Sequence, residues 1–260
     1  MTALNLDHLM LHGLKRDAPA FLASVTSASE AAIALGHGAD VIDAKDPARG
    51  ALGALSVDRI EAIVAAVAGR APVSATIGDL PSDPAVMVSA AEVIAAAGVN
   101  VVKAGFFGAG PHEAAIAALG RAHLGKARLA GVLMADLDPD FGLIAAMARA
   151  GFAIVMLDTA AKGTGGLRAA LCEVALIEFL GAARSHGLSA GLAGSLSQSD
   201  ILALVRLSPD FLGFRGALCA GARTSDLQPS RVAAVASAIA AAALKATNSG
   251  RPGEIERSVA

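Results

Sequence analysis

The sequence predicts a single α/β domain, a (βα)8 barrel of the TIM type, and three observations favour this fold. The 260-residue chain alternates short apolar runs with Ala/Leu/Glu-rich helical stretches, and does so eight times. The apolar runs are hydrophobic nearly throughout rather than alternating, which is typical of parallel strands covered on both faces. They follow one another at intervals of roughly 20 to 30 residues, the spacing of βαβ units with right-handed crossovers. Eight such units imply a closed barrel.

The elements follow in order along the chain. The predicted strands are FLASV (21–25), VIDAK (41–45), VSATIG (73–78), VVKAG (101–105), RLAGVLMA (128–135), IVMLDT (154–159), LSAGLAG (188–194) and FLGFRG (211–216). Ser27 with Glu30 indicates a capping box at the first helix, and Pro111 suits a first helical turn. Ser197 with Asp200 resembles an acidic capping box. A doubly wound open sheet is the alternative, but no GxGxxG or GxxxxGK[ST] follows the first strand.

The predicted barrel occupies residues 21–245, between an N-terminal extension, 1–20, and a flexible C-terminal tail, 246–260. The extension lacks the long apolar region and cleavage site of a secretory signal. The tail is polar and rich in helix breakers, which is typical of a frayed end. The uncharged run Val232–Leu244 is shorter than the roughly 20 residues that span a bilayer, so we expect a packed helix.

Composition excludes several classes of function. A formal charge of -2 and the absence of Trp and Tyr argue against a nucleic-acid partner, which would need a basic, aromatic surface. Cys172 and Cys219 lack CxxC or His spacing, so neither a disulfide framework nor a metal site is predicted. We expect a cytoplasmic protein with a small-molecule substrate and no membrane association, and the Ala-rich helices make a homo-oligomer plausible.

Charged side chains stand at the ends of three predicted strands of the same parity. Asp43 and Lys45 close the second strand two residues apart, on one face of it. Lys103 lies in the fourth strand, Asp158 near the end of the sixth, and Lys162 four residues beyond. Alternate strands contribute to the same side-chain layer of a barrel, and their carboxyl ends converge on one mouth. We therefore expect these five residues to share a pocket.

Crowded lysines in such a pocket predict carbonyl chemistry. Desolvation and like-charge repulsion both favour the neutral amine, which is a nucleophile toward carbonyls. The two aspartates would offset part of the repulsion and relay protons, with Asp43 orienting Lys45 and Asp158 acting beside Lys162. Schiff-base formation needs no metal or organic cofactor, since the iminium is the electron sink. The alternative is that each Asp and Lys forms a structural ion pair at the barrel rim.

The last two strands predict a phosphate site. Gly194 and Ser195 directly follow the seventh strand, and Arg215, Gly216 and Ala217 stand at the end of the eighth. Loops at these two positions of a barrel often present backbone N–H groups to a phosphate. The glycines could instead serve only to turn the chain, and the arginine could be paired inside the barrel.

Six segments carry a resemblance to a known family: VIDAKDPARGALGA (41–54), SATIGDLP (74–81), VVKAG (101–105), MLDTAAKGTGGL (156–167), LAGSL (192–196) and GFRGALC (213–219). Together they resemble the (5-formylfuran-3-yl)methyl phosphate synthase family of methanofuran biosynthesis, also described as 4-(hydroxymethyl)-2-furancarboxaldehyde-phosphate synthase. The resemblance runs in order from residue 21 to about residue 240. It implies a (βα)8 enzyme that condenses two molecules of glyceraldehyde 3-phosphate, with loss of phosphate and water.

The resemblance also implies residue roles. Lys45 would be the Schiff-base lysine, and its catalytic surround would be Asp43, Lys103, Asp158 and Lys162. Two alternatives remain open: a class I aldolase acting on another sugar phosphate, and a non-catalytic barrel that binds a phosphorylated metabolite. The first would release an aldol product without losing phosphate.

Overall fold

The computed structural model describes residues 18–161 and 165–248, and within them eight parallel strands close into one barrel. The strands are β1 (Ala20–Val25), β2 (Val41–Ala44), β3 (Val73–Thr76), β4 (Val101–Phe106), β5 (Arg128–Met134), β6 (Ile154–Asp158), β7 (Ser189–Leu192) and β8 (Phe211–Phe214). Each strand pairs with the next in the chain, and β8 pairs with β1. The predicted (βα)8 fold is confirmed, and each strand ends within two residues of its predicted end.

Helices follow the strands on the outside of the barrel. In the described residues they are α1 (Ala28–Gly36), α2 (Val57–Val67), α3 (Pro84–Ala96), α4 (His112–Leu119), α5 (Leu143–Arg149), α6 (Leu167–Ala170), α7 (Glu173–Ser185), α8 (Ile201–Arg206) and α9 (Pro229–Asn248). Pro111 is the N-cap residue of α4 rather than part of its first turn. Ser197 and Asp200 form the reciprocal capping box on a 3-10 turn that leads into α8.

The start of α1 differs in one detail from the sequence prediction. The Ser27 hydroxyl accepts the N–H of Glu30 at 3.2 Å, which is half of a capping box. The Glu30 carboxylate, however, accepts the N–H of Thr26 at 2.7 Å instead of that of Ser27. Arg215, which directly follows the neighbouring strand β8, also binds this carboxylate. The acidic residue therefore links the helix to the barrel instead of completing a local cap.

Two apolar layers support the mouth of the barrel. The outer layer lies between sheet and helices and includes Phe21, Ile42, Val102 and Leu133. The inner layer fills the barrel with side chains from alternate strand positions: Leu22, Val41, Val101, Val132, Met156 and Phe211. Because successive strand residues point to opposite faces, the polar residues two positions beyond an inner-layer residue also point inward. They lie nearer the carboxyl ends of the strands.

The last helix, α9, is the described helix that is long and apolar enough to cross a membrane by length and composition alone. It packs on the barrel through Val232, Val235 and Ile239, all of which are buried, in agreement with the packed helix expected there. It continues to Asn248, beyond the predicted boundary at residue 245. Residues 1–17 of the predicted extension and 249–260 of the predicted tail lie outside the described residues.

Candidate active site

A cavity opens at the carboxyl ends of the strands, and most of the predicted site residues line it. Its acidic and basic lining residues are Asp43, Lys45, Lys103, Asp158, Arg215 and Arg223. The loops after β7 and β8 form one wall, which includes Gly194, Ser195, Gly216 and Ala217. Lys162, the fifth predicted catalytic residue, lies outside the described residues.

The four charged residues in β2, β4 and β6 or directly after them form two ion pairs that cross the mouth. Lys45 Nζ donates to Asp158 Oδ2 at 3.2 Å, and Lys103 Nζ donates to Asp43 Oδ1 at 3.0 Å. None of the four is more than 6% exposed. The hydrogen-bond partner of Lys45 is thus Asp158 of β6, not its sequence neighbour Asp43. Two residues along an extended chain correspond to a rise of roughly 6.5 Å, so Asp43 in β2 and Lys45 just after it meet different partners.

Asp43 is the most enclosed of the four. Its carboxylate accepts the hydroxyls of Ser24 at 2.9 Å and Ser74 at 2.6 Å, besides Lys103. Both serines stand beside Asp43 in the strand register, on β1 and β3. Burial would raise the pKa of Asp43, but the charges of Lys103 and Lys45 and the hydrogen bond from Ser74 hold this pKa below its usual value. Asp43 is therefore a fixed anion that positions the Lys103 amine.

Sequence reasoning missed the two serines that bind Asp43. A signal was available, because Ser24 and Ser74 are polar residues inside the otherwise apolar strands β1 and β3. Both serines are buried. A polar residue in a buried strand needs a hydrogen-bond partner, and the neighbouring strand supplies a carboxylate at the same level.

Asp158 is held by the loop that it begins. Its Oδ1 accepts the N–H of Thr159 at 2.8 Å, which orients Oδ2 toward Lys45. Asp136, after β5, accepts the N–H groups of Ala160 and Ala161, both at 2.7 Å. These bonds fix the segment that leads directly to residue 162.

The wall after β7 and β8 contains backbone N–H groups for which the described residues provide no hydrogen-bond acceptor. Hydrogen bonds within the described residues use the N–H groups of Ala193, Ser197, Leu218 and Cys219. No such bond is found there for the N–H groups of Gly194, Ser195, Gly216 and Ala217. Gly194 has a φ of 106°, and a Cβ there would lie 3.0 Å from the nitrogen of Thr159. A Cβ on Gly216 would meet nothing within 4 Å. Donors that the described residues leave without an acceptor can bind an oxyanion.

The sequence left two roles open for Arg215, contact with a phosphate or pairing inside the barrel. The structure shows the second, because the guanidinium is paired with groups of the protein. Its Nη1 donates to Glu30 Oε2 at 2.6 Å and to the carbonyl of Ser24 at 3.2 Å. Its Nη2 donates to Glu30 Oε1 at 3.2 Å and to the carbonyl of Ser225 at 2.8 Å. Its Nε donates to the carbonyl of Arg223 at 2.8 Å. All five donors of the guanidinium are used, so the side chain holds the loop after β8.

Glu30 completes this buried ion pair. Besides Arg215, its carboxylate accepts the N–H of Thr26 at 2.7 Å, the hydroxyl of Thr26 at 3.0 Å and the N–H of Leu227 at 3.1 Å. Burial would raise the pKa of Glu30, but the hydrogen bonds from Arg215 and Thr26 and the charge of Arg215 hold this pKa below its usual value. One carboxylate thereby joins β1, β8 and the loop that leads to α9.

Arg223, which sequence reasoning did not select, reaches from the loop after β8 to the loop after β2, with one strand, β1, between them in the barrel. Its Nη2 donates to the carbonyl of Gly50, in the loop after β2, at 3.0 Å. The next two residues of that loop, Ala51 and Leu52, donate their N–H groups to the carboxylate of Asp79 at 2.9 and 2.8 Å. The loops after β2, β3 and β8 are thus joined beside the cavity.

The described residues contain neither a cluster of metal ligands nor a disulfide. Among residues 18–161 and 165–248, no group of three or more His, Cys, Asp or Glu side chains is placed to hold a metal ion. Cys172 is exposed and Cys219 is buried, and both are free thiols.

Comparison with known families identifies relatives of the chain. The family model described as 4-HFC-P synthase matches residues 21–236. A putative (5-formylfuran-3-yl)methyl phosphate synthase from Methylorubrum extorquens is 44% identical over 224 residues, covering 86% of this chain and 92% of that protein. The (5-formylfuran-3-yl)methyl phosphate synthase from Methanosarcina mazei is 35% identical over 219 residues, with 80% and 93% covered.

Solved structures with the same fold are more distant in sequence. A 3-hexulose-6-phosphate synthase from Salmonella typhimurium superposes with a TM-score of 0.63 at 18% identity, covering 87% of this chain and 99% of that one. A phosphoribosyl anthranilate isomerase from Thermus thermophilus gives a TM-score of 0.61 at 16% identity, with 85% and 98% covered. At these identities the likeness establishes the barrel fold alone.

Proposed function

Since the chain belongs to the 4-HFC-P synthase family and is an enzyme of methanofuran biosynthesis, we propose that it condenses two molecules of glyceraldehyde 3-phosphate into (5-formylfuran-3-yl)methyl phosphate. Inorganic phosphate and water are released, so the enzyme acts as a lyase. The observation that carries this proposal is the pair of buried Lys–Asp contacts in one cavity, beside a wall of backbone N–H groups. The first feature suits carbonyl capture, and the second suits a phosphate.

Lys45 is the nucleophile in this proposal. Its amine attacks the carbonyl carbon of one triose phosphate after passing a proton to Asp158, whose Oδ2 lies 3.2 Å away. Asp158 returns the proton to the carbinolamine oxygen, water leaves, and an iminium forms. Loss of a proton from the adjacent carbon gives an enamine, which adds to the aldehyde of the second triose phosphate. The iminium is the electron sink, so the reaction needs no metal or organic cofactor.

Lys103 and Asp43 act together on developing charge. The Asp43 carboxylate holds Lys103 Nζ at 3.0 Å and is itself fixed by two serine hydroxyls. A preorganised ammonium in a dry cavity stabilises an oxyanion without reorganising first. We propose that Lys103 has this role during carbon–carbon bond formation, and that Lys162 acts with Asp158 in dehydration and phosphate elimination.

The phosphate retained in the product is proposed to bind the wall after β7 and β8. Backbone N–H groups of Gly194, Ser195, Gly216 and Ala217 line this wall. The Arg215 guanidinium is left out of this site because all five of its donors are engaged elsewhere. Its contribution is to hold the loop in place.

Borohydride trapping tests the Schiff base directly. The protein is incubated with glyceraldehyde 3-phosphate and borohydride, and the labelled peptide is identified by mass spectrometry. We expect the adduct on Lys45, no adduct in Lys45→Met, and an unchanged adduct in Lys126→Met, which removes an exposed lysine. An adduct on another lysine, or none while product still forms, would overturn the assignment of Lys45.

Product analysis tests the overall reaction. Furan absorbance and inorganic phosphate should appear together, one phosphate for each furan formed. An aldol product without phosphate release would instead indicate a class I aldolase acting on sugar phosphates. The free thiols Cys172 and Cys219 are consistent with the proposed cytoplasmic location. Assembly into a homo-oligomer stays a prediction, which light scattering can check.

A further inference from the structure

We propose that Arg223 forms a second phosphate subsite, at the side of the cavity between the loops after β2 and β8, and that it binds the phosphate group that the reaction expels. The inference rests on the proposed function, because a reaction of two triose phosphates must hold two phosphate groups. The ligand is a phosphate monoester before elimination and inorganic phosphate after it.

The distribution of charge in the cavity is the first observation in favour of the subsite. Lys45 and Lys103 are each paired with an aspartate, and Arg215 is paired with Glu30. Arg223 lines the same cavity, and among residues 18–161 and 165–248 no carboxylate lies within ion-pair distance of it. The described part of the cavity therefore carries one arginine whose charge an anionic ligand can neutralise.

The environment of Arg223 points the same way. Burial lowers the pKa of its guanidinium, as does the repulsion from Arg215, while the charges of Asp158, Asp79 and Asp46 oppose this without cancelling it. A partly desolvated cation without an ion-pair partner is an unfavourable arrangement in an empty site. A phosphate dianion beside it would form an ion pair with the guanidinium, and the attraction between the two charges is stronger in a partly desolvated cavity than in water.

The Arg223 side chain is held in position at its backbone and at its guanidinium. Arg215 donates to the backbone carbonyls of Arg223 and Ser225, which fixes the loop that carries the side chain. At its tip, Arg223 Nη2 donates to the carbonyl of Gly50, in a loop that Asp79 anchors. That contact uses one of the five guanidinium N–H groups and leaves others for a ligand. A side chain fixed in this way loses little conformational freedom when a ligand binds.

The position also separates this subsite from the backbone wall. The N–H groups of Gly194, Ser195, Gly216 and Ala217 belong to the wall after β7 and β8, whereas the Arg223 side chain extends to the loop after β2. In elimination the carbon–oxygen bond breaks, its electron pair leaves on the phosphate oxygen, and the proton of the adjacent carbon passes to a carboxylate of the site. A full positive charge beside the leaving oxygen stabilises the negative charge that develops there.

Phosphate binding to the full-length protein tests the inference without requiring turnover. Inorganic phosphate is titrated into the wild type, Arg223→Gln and Arg223→Lys, and binding is followed by calorimetry and phosphorus NMR. Arg121→Gln is the matched control, because it removes the same charge from an exposed site after α4, at the opposite end of the barrel. We expect two phosphates per chain in the wild type and in the control.

In Arg223→Gln we expect one of the two sites to weaken by at least about tenfold, as befits the loss of a charge-assisted hydrogen bond. Arg223→Lys should bind phosphate with intermediate affinity, because lysine keeps the positive charge but lacks the planar, forked set of N–H donors of a guanidinium. Unchanged phosphate binding in Arg223→Gln would overturn the inference, even if turnover falls, because the side chain would then only hold the Gly50 loop. A melting temperature equal to that of the wild type checks that the variants are folded.

The outcome is separable from that of the proposed function. If the enzyme forms no furan, the titration still decides whether Arg223 binds phosphate. If furan forms and Arg223→Gln binds two phosphates as tightly as the wild type, the subsite is wrong and the proposed function stands.

Discussion

Replacing Glu30 with glutamine should destabilise the protein more than any surface change of the same kind. The carboxylate accepts two hydrogen bonds from Arg215, two from Thr26 and one from Leu227. Glutamine keeps one oxygen and places an NH2 group against donors that need an acceptor. Arg215, only 8% exposed, would then carry a buried charge without its counterion.

Removing one partner of a buried ion pair costs about 3–5 kcal/mol. For a chain of this size each kcal/mol lowers the melting temperature by about 2–4 °C, so we expect a fall of roughly 6–20 °C. Urea denaturation measures the free energy of unfolding, and a thermal scan gives the midpoint. Glu61→Gln, at an exposed position of α2, is the control and should stay within about 0.5 kcal/mol of the wild type.

The dependence on pH adds an independent check. The folded-state pKa of Glu30 lies below its ordinary value of 4.5. Its contribution to stability is therefore fully present above pH 4.5 and is lost as the pH falls through the lowered folded-state pKa. The difference in unfolding free energy between wild type and Glu30→Gln should shrink as the pH falls below 4.5. A difference under about 1 kcal/mol at pH 7, or one that does not change with acidification, would refute the reasoning.

Two further predictions concern the site itself. Asp43→Asn should abolish furan formation and lower the free energy of unfolding by about 3–5 kcal/mol, since it leaves the Lys103 ammonium buried without its carboxylate. The double variant Asp43→Asn with Lys103→Met should recover part of that loss in urea denaturation. Strictly additive effects of the two changes would contradict the pairing. The Asp43 pKa is likewise lowered, so its contribution is present above its ordinary value of 3.8 and disappears under more acid conditions. Gly50→Ala should cost about 1–3 kcal/mol, because a Cβ at this φ of 112° would overlap the Asp79 carboxylate. Gly181→Ala, in α7 with no atom within 4 Å of the new Cβ, should be neutral or stabilising by about 0.5–1 kcal/mol, and equal effects of the two changes would contradict this account.

The strands, and the position of the charged residues at the strand ends, could be predicted from the sequence because both depend on local patterns. Continuous apolar runs identify parallel strands, and a period of two along β2 puts Asp43 and Lys45 on the same face. The shared parity of β2, β4 and β6 then predicts that Lys103 and Asp158 join them. The structure places all four in one cavity.

The partners of those residues could not be predicted in the same way. Lys45 binds Asp158, which is 113 residues away, and Lys103 binds Asp43, which is 60 residues away. The choice depends on how far each side chain rises above the inner layer and on which strand lies across the mouth. Neither of these can be derived from the spacing of the residues in the sequence.

By itself, the sequence determined the barrel, the family and the ring of strand-end amines and carboxylates, because each follows from the order and type of neighbouring residues. Only the tertiary structure decided what the two arginines after β8 do. Arg215, at the strand end, is fully bound by Glu30 and backbone carbonyls, and Arg223, which no strand pattern marks, reaches the cavity. The physical reason is that a guanidinium serves whichever acceptors lie within its reach, and closing the barrel brings those acceptors from opposite ends of the chain.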